Sequence, residues 1–308
     1  MNLTHRNLSR FLSILFALAA TIPAVPALAA EGEAGARPRI ISLYAAHTEV
    51  LLRLGAKDNI IGVSRQETYA GPETDGWQPE VFSFRDDVEK YLVAKPDIVL
   101  VRPQHIAGGS HQKAALERVG IQVIAIQVTK VVDLYPYWRR LAALAGRERE
   151  AEAMIRVFET EVERYGKAAA ARTDKPGVFL EAIHREIKTF TPDSIPAWLV
   201  ELAGGRNIAS DATAASPGVI IANYGPERLL SRAGEVDIFI SQQGAMNRVT
   251  MDALRTREVY QPLKAFREGR VYSIPEGILA RPTPSLLEGL RMLAGWTGLV
   301  VEADAREK

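Results

Sequence analysis

The 308-residue sequence contains no cysteine, which excludes disulfides, thiolate metal sites, cysteine nucleophiles and lipidation at a cysteine. An excess of charge of either sign is also missing: 38 Lys and Arg face 37 Asp and Glu, for a formal charge of +1. A nucleic-acid-binding domain usually shows a basic excess or a basic stripe, and neither appears. The apolar run at residues 11–20 is about half of the roughly 20 residues a membrane span needs, and no other stretch is long and apolar enough. Catalytic signatures are lacking as well: there is no G-x-S-x-G elbow, Walker A sequence, G-x-G-x-x-G or H-E-x-x-H.

The start of the chain has its own pattern. His5, Arg6 and Arg10 make a positive start, residues 11–20 are apolar, and Pro23 and Pro26 precede Ala27-Leu28-Ala29. A short apolar core before a small-x-small site reads as a secretory signal peptide over 1–30, cut near Ala29 or Ala30. Its removal deletes two Arg and no acid, turning the net charge from +1 to −1. The expected mature product is exported and near neutral.

The whole chain is 47% hydrophobic and long enough for two domains at roughly 150 residues each. After a Gly/Ala linker at 31–38, short all-apolar runs alternate with amphipathic stretches. Strands are predicted at 39–43, 60–63, 98–101 and 123–126, and helices at 48–54, 88–94, 110–119 and 133–145. All-apolar strands between helices indicate parallel βαβ units covered on both faces. Over 148–171 the apolar positions Ala151, Met154, Ile155, Phe158, Val162 and Tyr165 recur at spacings of three and four, the mark of one long helix. It is neither Gly- nor Pro-rich, so it should hold two lobes at a nearly fixed separation. The alternation then resumes, with strands at 178–182, 237–241 and 271–274 and helices at 195–203, 227–231 and 284–301. The expected organisation is an N-terminal α/β lobe at 39–146, a connecting helix at 147–172, a C-terminal α/β lobe at 173–303 and a charged tail at 304–308. An internal echo supports two similar lobes: Val88-Glu89-Lys90-Tyr91-Leu92 leads into Pro96-Asp97-Ile98, and Pro226-Glu227-Arg228-Leu229-Leu230 into Val236-Asp237-Ile238.

These segments resemble a known family. Residues 39–43, Thr48-Glu49, Leu54-Gly55 and Ile61-Gly62-Val63-Ser64 are similar to the opening of substrate-binding proteins of ABC importers for iron-siderophores and vitamin B12. Lys95-Pro96-Asp97-Ile98-Val99-Leu100, Gly204-Gly205-Arg206-Asn207-Ile208, Gly269-Arg270-Val271-Tyr272, Arg281-Pro282 and Leu287-Glu288-Gly289-Leu290 continue the likeness in order. The resemblance implies two α/β lobes with parallel-type sheets joined by a single long rigid helix, the ligand held in a cleft between them. It implies a periplasmic protein, a monomer that delivers its cargo to an ABC importer permease with its cytoplasmic ATPase. Glu89 and Glu227 match the two glutamates with which that family docks to permease arginines. The family often carries Ser-Pro where this chain has Tyr44-Ala45-Ala46-His47, so the ligand's identity does not transfer.

Loops at the carboxyl ends of parallel strands face the crevice. That places Tyr44 and His47, Ser64 and Arg65, residues 102–105 including Arg102 and His105, and residues 182–188 including His184 near the cleft. Gln242, Gln243, Met246 and Arg248 follow the 237–241 strand, and Phe84-Arg85, Tyr224 and Arg281 join the candidates. Several arginines suit an anionic ligand, and tyrosines offer flat apolar faces for a large chelate. Each candidate has a structural alternative: Arg85 beside Asp86 and Asp87 as a surface ion pair, Tyr44 as packing, His184 as a backbone partner. The expected function is capture of a metal chelate (ferric siderophore, corrinoid or related complex), with no cofactor of its own and no nucleic acid. A bare metal ion or oxyanion remains the alternative cargo, and a periplasmic hydrolase the alternative class.

Overall fold

The computed structural model describes residues 37–65, 74 and 76–301. The signal peptide at 1–30, most of the 31–38 linker and the 304–308 tail lie outside the described residues.

The first lobe runs β1 (Ile40–Ser42), α1 (Ala45–Arg53), β2 (Ile60–Ser64), β3 (Glu80–Phe82), α2 (Val88–Ala94), β4 (Ile98–Val101), α3 (His111–Arg118), β5 (Gln122–Ala125) and α4 (Leu134–Ala145). Its five strands form an all-parallel sheet in the order β3-β2-β1-β4-β5. Every residue of β1 and β4 is buried, as strands covered on both faces must be. Helix α5 (Glu148–Ala171) follows at the expected bounds and, at 1.5 Å per residue, is ~36 Å long. It buries Ala151, Ile155, Phe158, Tyr165 and Ala169, packing on α4 at one end and on the second lobe at the other.

The second lobe contains β6 (Gly177–Glu181), β7 (Thr189–Phe190), α6 (Ile195–Leu202), β8 (Arg206–Asn207), β9 (Thr213–Ala214), β10 (Ile221–Asn223), α7 (Pro226–Ser231), β11 (Ile238–Gln243), α8 (Met251–Thr256), α9 (Lys264–Arg267), β12 (Val271–Pro275), α10 (Glu276–Leu279) and α11 (Leu286–Thr297). Strands β12-β11-β6-β8 make a second parallel sheet, and β7-β10-β9 a small antiparallel one. The antiparallel strands and β3 escape a reading by periodicity because each is only two or three residues long. Helix α11 is shorter than the expected 284–301: Gly298 takes φ 72°, a left-handed conformation that ends it. Gly204, at φ 73°, stops α6 in the same way, while a Cβ on Gly205 would sit 2.8 Å from Val178 Cγ2.

The internal echo proves to be one structural device used twice. Asp97, just before β4, accepts from Arg39 N at 2.7 Å and returns its own N–H to Arg39 O. Asp237, just before β11, accepts from Gly177 N at 2.6 Å and returns its N–H to Gly177 O. In each lobe this clamp joins the first strand to the strand that crosses to its other side.

Behind the cleft the lobes share apolar material. One buried cluster runs from Ile40 and Leu100 through Trp138 and Phe158 to Leu180 and Leu290. Fully buried Trp138 meets Phe158 edge-on at 5.0 Å and donates its indole N–H to Pro282 O at 2.8 Å. The strand order reverses between β1 and β4 in one sheet and between β6 and β11 in the other. Open α/β sheets bind ligands outside the carboxyl ends of strands at such switch points.

Candidate ligand cleft

A cavity of ≈380 Å³ draws its walls from both lobes. Tyr44, Arg102, Gln104 and residues 127–129 come from the first; Phe190, residues 218–221, Gln242, Met246, Glu276 and Ala280 come from the second. Two further cavities share a residue with it. One of ≈430 Å³ is lined by Ser64, Arg65, Ser83, Phe84, Arg102 and His105 in the first lobe. The other, of ≈740 Å³, is lined by residues 183–186, residues 246–250 and Ala253 in the second. Arg65, Arg102, Arg185 and Arg248 thus line this set of cavities against two acids, Glu186 and Glu276. Glu186 is already paired with Lys188 at 2.5 Å.

Arg102 joins the first-lobe cavity to the interlobe one. It follows β4, its guanidinium stacks over the Tyr44 ring at 4.9 Å, and its Nε is buried without a hydrogen-bond partner. Its backbone N–H donates to His105 Nδ1 at 3.2 Å, leaving His105 Nε2 as the protonated nitrogen of the neutral ring. Burial, then the positive charges of Arg102 and Arg85, lower the His105 pKa. Arg65 is exposed at the rim. Arg85 is exposed too, and Asp86 pairs with Lys90 at 2.9 Å, not with Arg85. Gln242 is 1% exposed yet lines the interlobe cavity, and its Oε1 is buried without a partner.

Arg85, His47, Tyr224 and Arg281 line none of these three cavities. His47 is fully buried within α1, where its Nε2 meets Ile126 O at 3.1 Å and its ring packs edge-on against Tyr44 at 5.1 Å. Burial pushes its pKa down to about 3, so it is a neutral support beneath Tyr44 with no exposed atom to offer a ligand. Tyr224 is 6% exposed and belongs to the second lobe's own core, packed on Phe179 at 5.3 Å with Arg228 over its ring. Its position after β10, an antiparallel strand, explains the difference: the rule that places loops in the crevice holds for parallel strands. Arg281 has its Nε 3.9 Å from the carboxylate of Glu276, which lines the interlobe cavity.

Sequence reasoning missed Glu276, Phe190, residues 127–129 and a buried polar cluster around Glu181. Only Glu181 left a signal, as the charged end of an otherwise apolar strand. Glu89 and Glu227 are both exposed in the first turns of α2 and α7, the helices preceding the two clamped strands. Among the described residues no group of three or more His, Cys, Asp or Glu side chains could hold a metal ion, and no helix is long and apolar enough to cross a membrane.

The sequence model of the periplasmic binding protein family matches residues 40–277. The chain belongs to that family. A curated relative, the vitamin B12-binding protein of Vibrio parahaemolyticus, is 25% identical over 253 residues, covering 82% of this chain and 86% of that one. An uncharacterized ABC transporter substrate-binding lipoprotein of Bacillus subtilis is 22% identical over 262 residues, covering 83% and 78%. Among solved structures, the periplasmic heme-binding protein of Vibrio cholerae superposes with a TM-score of 0.67 at 20% identity, covering 83% and 97%. The cleft of this periplasmic binding protein lies at the switch points of its two parallel sheets.

Proposed function

We propose that this periplasmic binding protein captures a metal chelate carrying anionic groups and delivers it to an ABC importer. The observation that carries the reading is the interlobe cavity, where Arg102 brings a partly unsatisfied guanidinium and Tyr44 a flat face, opposite Gln242 and Met246. A guanidinium binds carboxylates in a bidentate way, and the aromatic face suits a planar or macrocyclic surface. Two of the relatives named above are a vitamin B12-binding protein and a heme-binding protein, and both of those ligands are large metal chelates. The reading makes the chain a binding protein that returns its cargo unchanged, without a resident cofactor, acting as a monomer.

Glu89 and Glu227, presented by equivalent helices of the two lobes, are its contacts with permease arginines. Its place is the periplasm, reached through the cleaved signal. Without a cysteine the chain has no thiol to carry the lipid of a lipoprotein such as its Bacillus subtilis relative. N-terminal sequencing of the exported product should begin near Ala30; a retained Met1 would mark an anchor instead. Native mass spectrometry of the protein from its own periplasm tests the cargo. A bound mass equal to a metal chelate is expected, and a bare ion or an empty protein that binds no chelate of a panel would overturn the reading.

A further inference from the structure

Glu181 ends β6 at the second lobe's switch point and is fully buried. A buried carboxylate is costly unless it is hydrogen-bonded, and this one accepts from Ser241 Oγ at 2.7 Å, from the Tyr260 hydroxyl and from His184 Nδ1 at 3.1 Å. The loop carrying His184 is braced around the same cluster. Its backbone N–H donates to Asn247 Oδ1 at 2.8 Å, and Arg257 donates both to its carbonyl and, at 3.1 Å, to the Tyr260 hydroxyl.

With Glu181 as acceptor, the proton of the neutral imidazole sits on Nδ1 and Nε2 keeps its lone pair. The His184 side chain is 20% exposed and lines the ≈740 Å³ cavity. No hydrogen bond occupies its Nε2 among the described residues. A histidine oriented by a carboxylate through Nδ1, with Nε2 bare, is the arrangement that makes imidazole a firm metal ligand. One nitrogen alone does not hold a free ion. It does complete a metal whose other positions a chelator already fills.

We propose that His184 Nε2 ligates the metal of the incoming chelate at an exchangeable axial position, with Glu181 as the positioning residue that fixes its tautomer and aim. This rests on the chelate reading above and narrows it to chelates with an open or water-occupied coordination site. In the step, Nε2 donates its lone pair to the metal, the bound water leaves as water, and the oxidation state does not change. Arg185 and Arg248 line the same cavity, where their charge suits carboxylates on the chelate's periphery.

The test titrates the mature protein with ferric haem, aquacobalamin and a ferric tris-hydroxamate, following the absorption spectrum and affinity. The wild type should shift the spectrum of haem or aquacobalamin on binding. His184→Ala, which alters a partly exposed loop side chain, should abolish that shift, and free imidazole should restore it. Glu181→Gln should weaken binding of the same chelate by ~10–100-fold, with folding checked by circular dichroism. If Glu181→Gln does not fold, His184→Ala decides alone. Identical bound spectra for wild type and His184→Ala would overturn the inference while leaving the chelate reading standing. So would binding confined to the tris-hydroxamate, whose iron has no open position. Failure of all three to bind would overturn both.

Discussion

The clamp that opens β11 gives a stability effect that can be worked from its geometry. Replacing Asp237 with Ala removes the acceptor of Gly177 N–H (2.6 Å) and the partner of Lys264 Nζ (2.7 Å). Gly177 is buried, so water does not readily replace the lost carboxylate. A hydrogen bond to a charged group contributes ~1.5–3 kcal/mol, and about 2 kcal/mol is the expected loss. For a chain of this size that lowers Tm by ~3–4 °C. Urea unfolding followed by tryptophan fluorescence should show a lower midpoint at unchanged slope. Asp97→Ala breaks the equivalent clamp, but Asp97 is exposed and water can take over its bond to Arg39 N, so its loss should be clearly smaller. The pH dependence has a definite sign. Burial raises the Asp237 pKa, but the hydrogen bonds from Lys264 and Gly177 N–H outweigh it and leave it below the usual range. A depressed carboxyl stabilises the fold fully above its unfolded value of about 3.9 and loses that contribution as the pH falls through the folded value. The gap between wild type and Asp237→Asn should therefore hold from neutrality down to about pH 5 and narrow in stronger acid. A loss under about 0.5 kcal/mol, or equal losses at Asp97 and Asp237, would refute the account of the clamp as a buried charge-assisted bond.

Arg102→Ala should weaken binding of the chelate identified in the titration by ~30-fold or more, because a desolvated partner charge is stranded. Arg65→Ala, at the exposed rim, should cost only a few-fold; isothermal calorimetry checks the order, and the reverse order would move the anion site outward. Reversing Glu89 and Glu227 together to Arg should abolish uptake in cells while calorimetry shows unchanged affinity; surviving uptake would make them ordinary helix-start acids. His47 has its pKa lowered to about 3, so the folded protein stays neutral there while the unfolded chain gains a proton below about 6.5. Stability should fall as the pH drops across that window, and His47→Gln should flatten the slope of Tm against pH between about 6.5 and 3.

The parts of the fold that depend on local pattern were legible before any tertiary information. The mainly apolar runs became β1, β4 and β6, and the three-four spacing of Ala151 to Tyr165 became α5 at its expected bounds, because burial of one helix face or both strand faces leaves a trace in the sequence. The carboxyl-end rule likewise put Tyr44, Arg102, His184, Gln242 and Met246 on cavity walls, since parallel strand direction follows from βαβ alternation. The same rule misjudged His47, whose helix turned its ring inward, while Tyr224, a candidate added without that rule, follows an antiparallel strand and joins the core. Nothing in composition or spacing pairs Glu181 with Tyr260, 79 residues away, or sets Arg102 over Tyr44. Such contacts depend on two sheets and a shared core placing distant segments within a hydrogen-bond length. A one-dimensional pattern records which face a residue prefers to bury, while its partner across the lobe is decided only by packing in three dimensions.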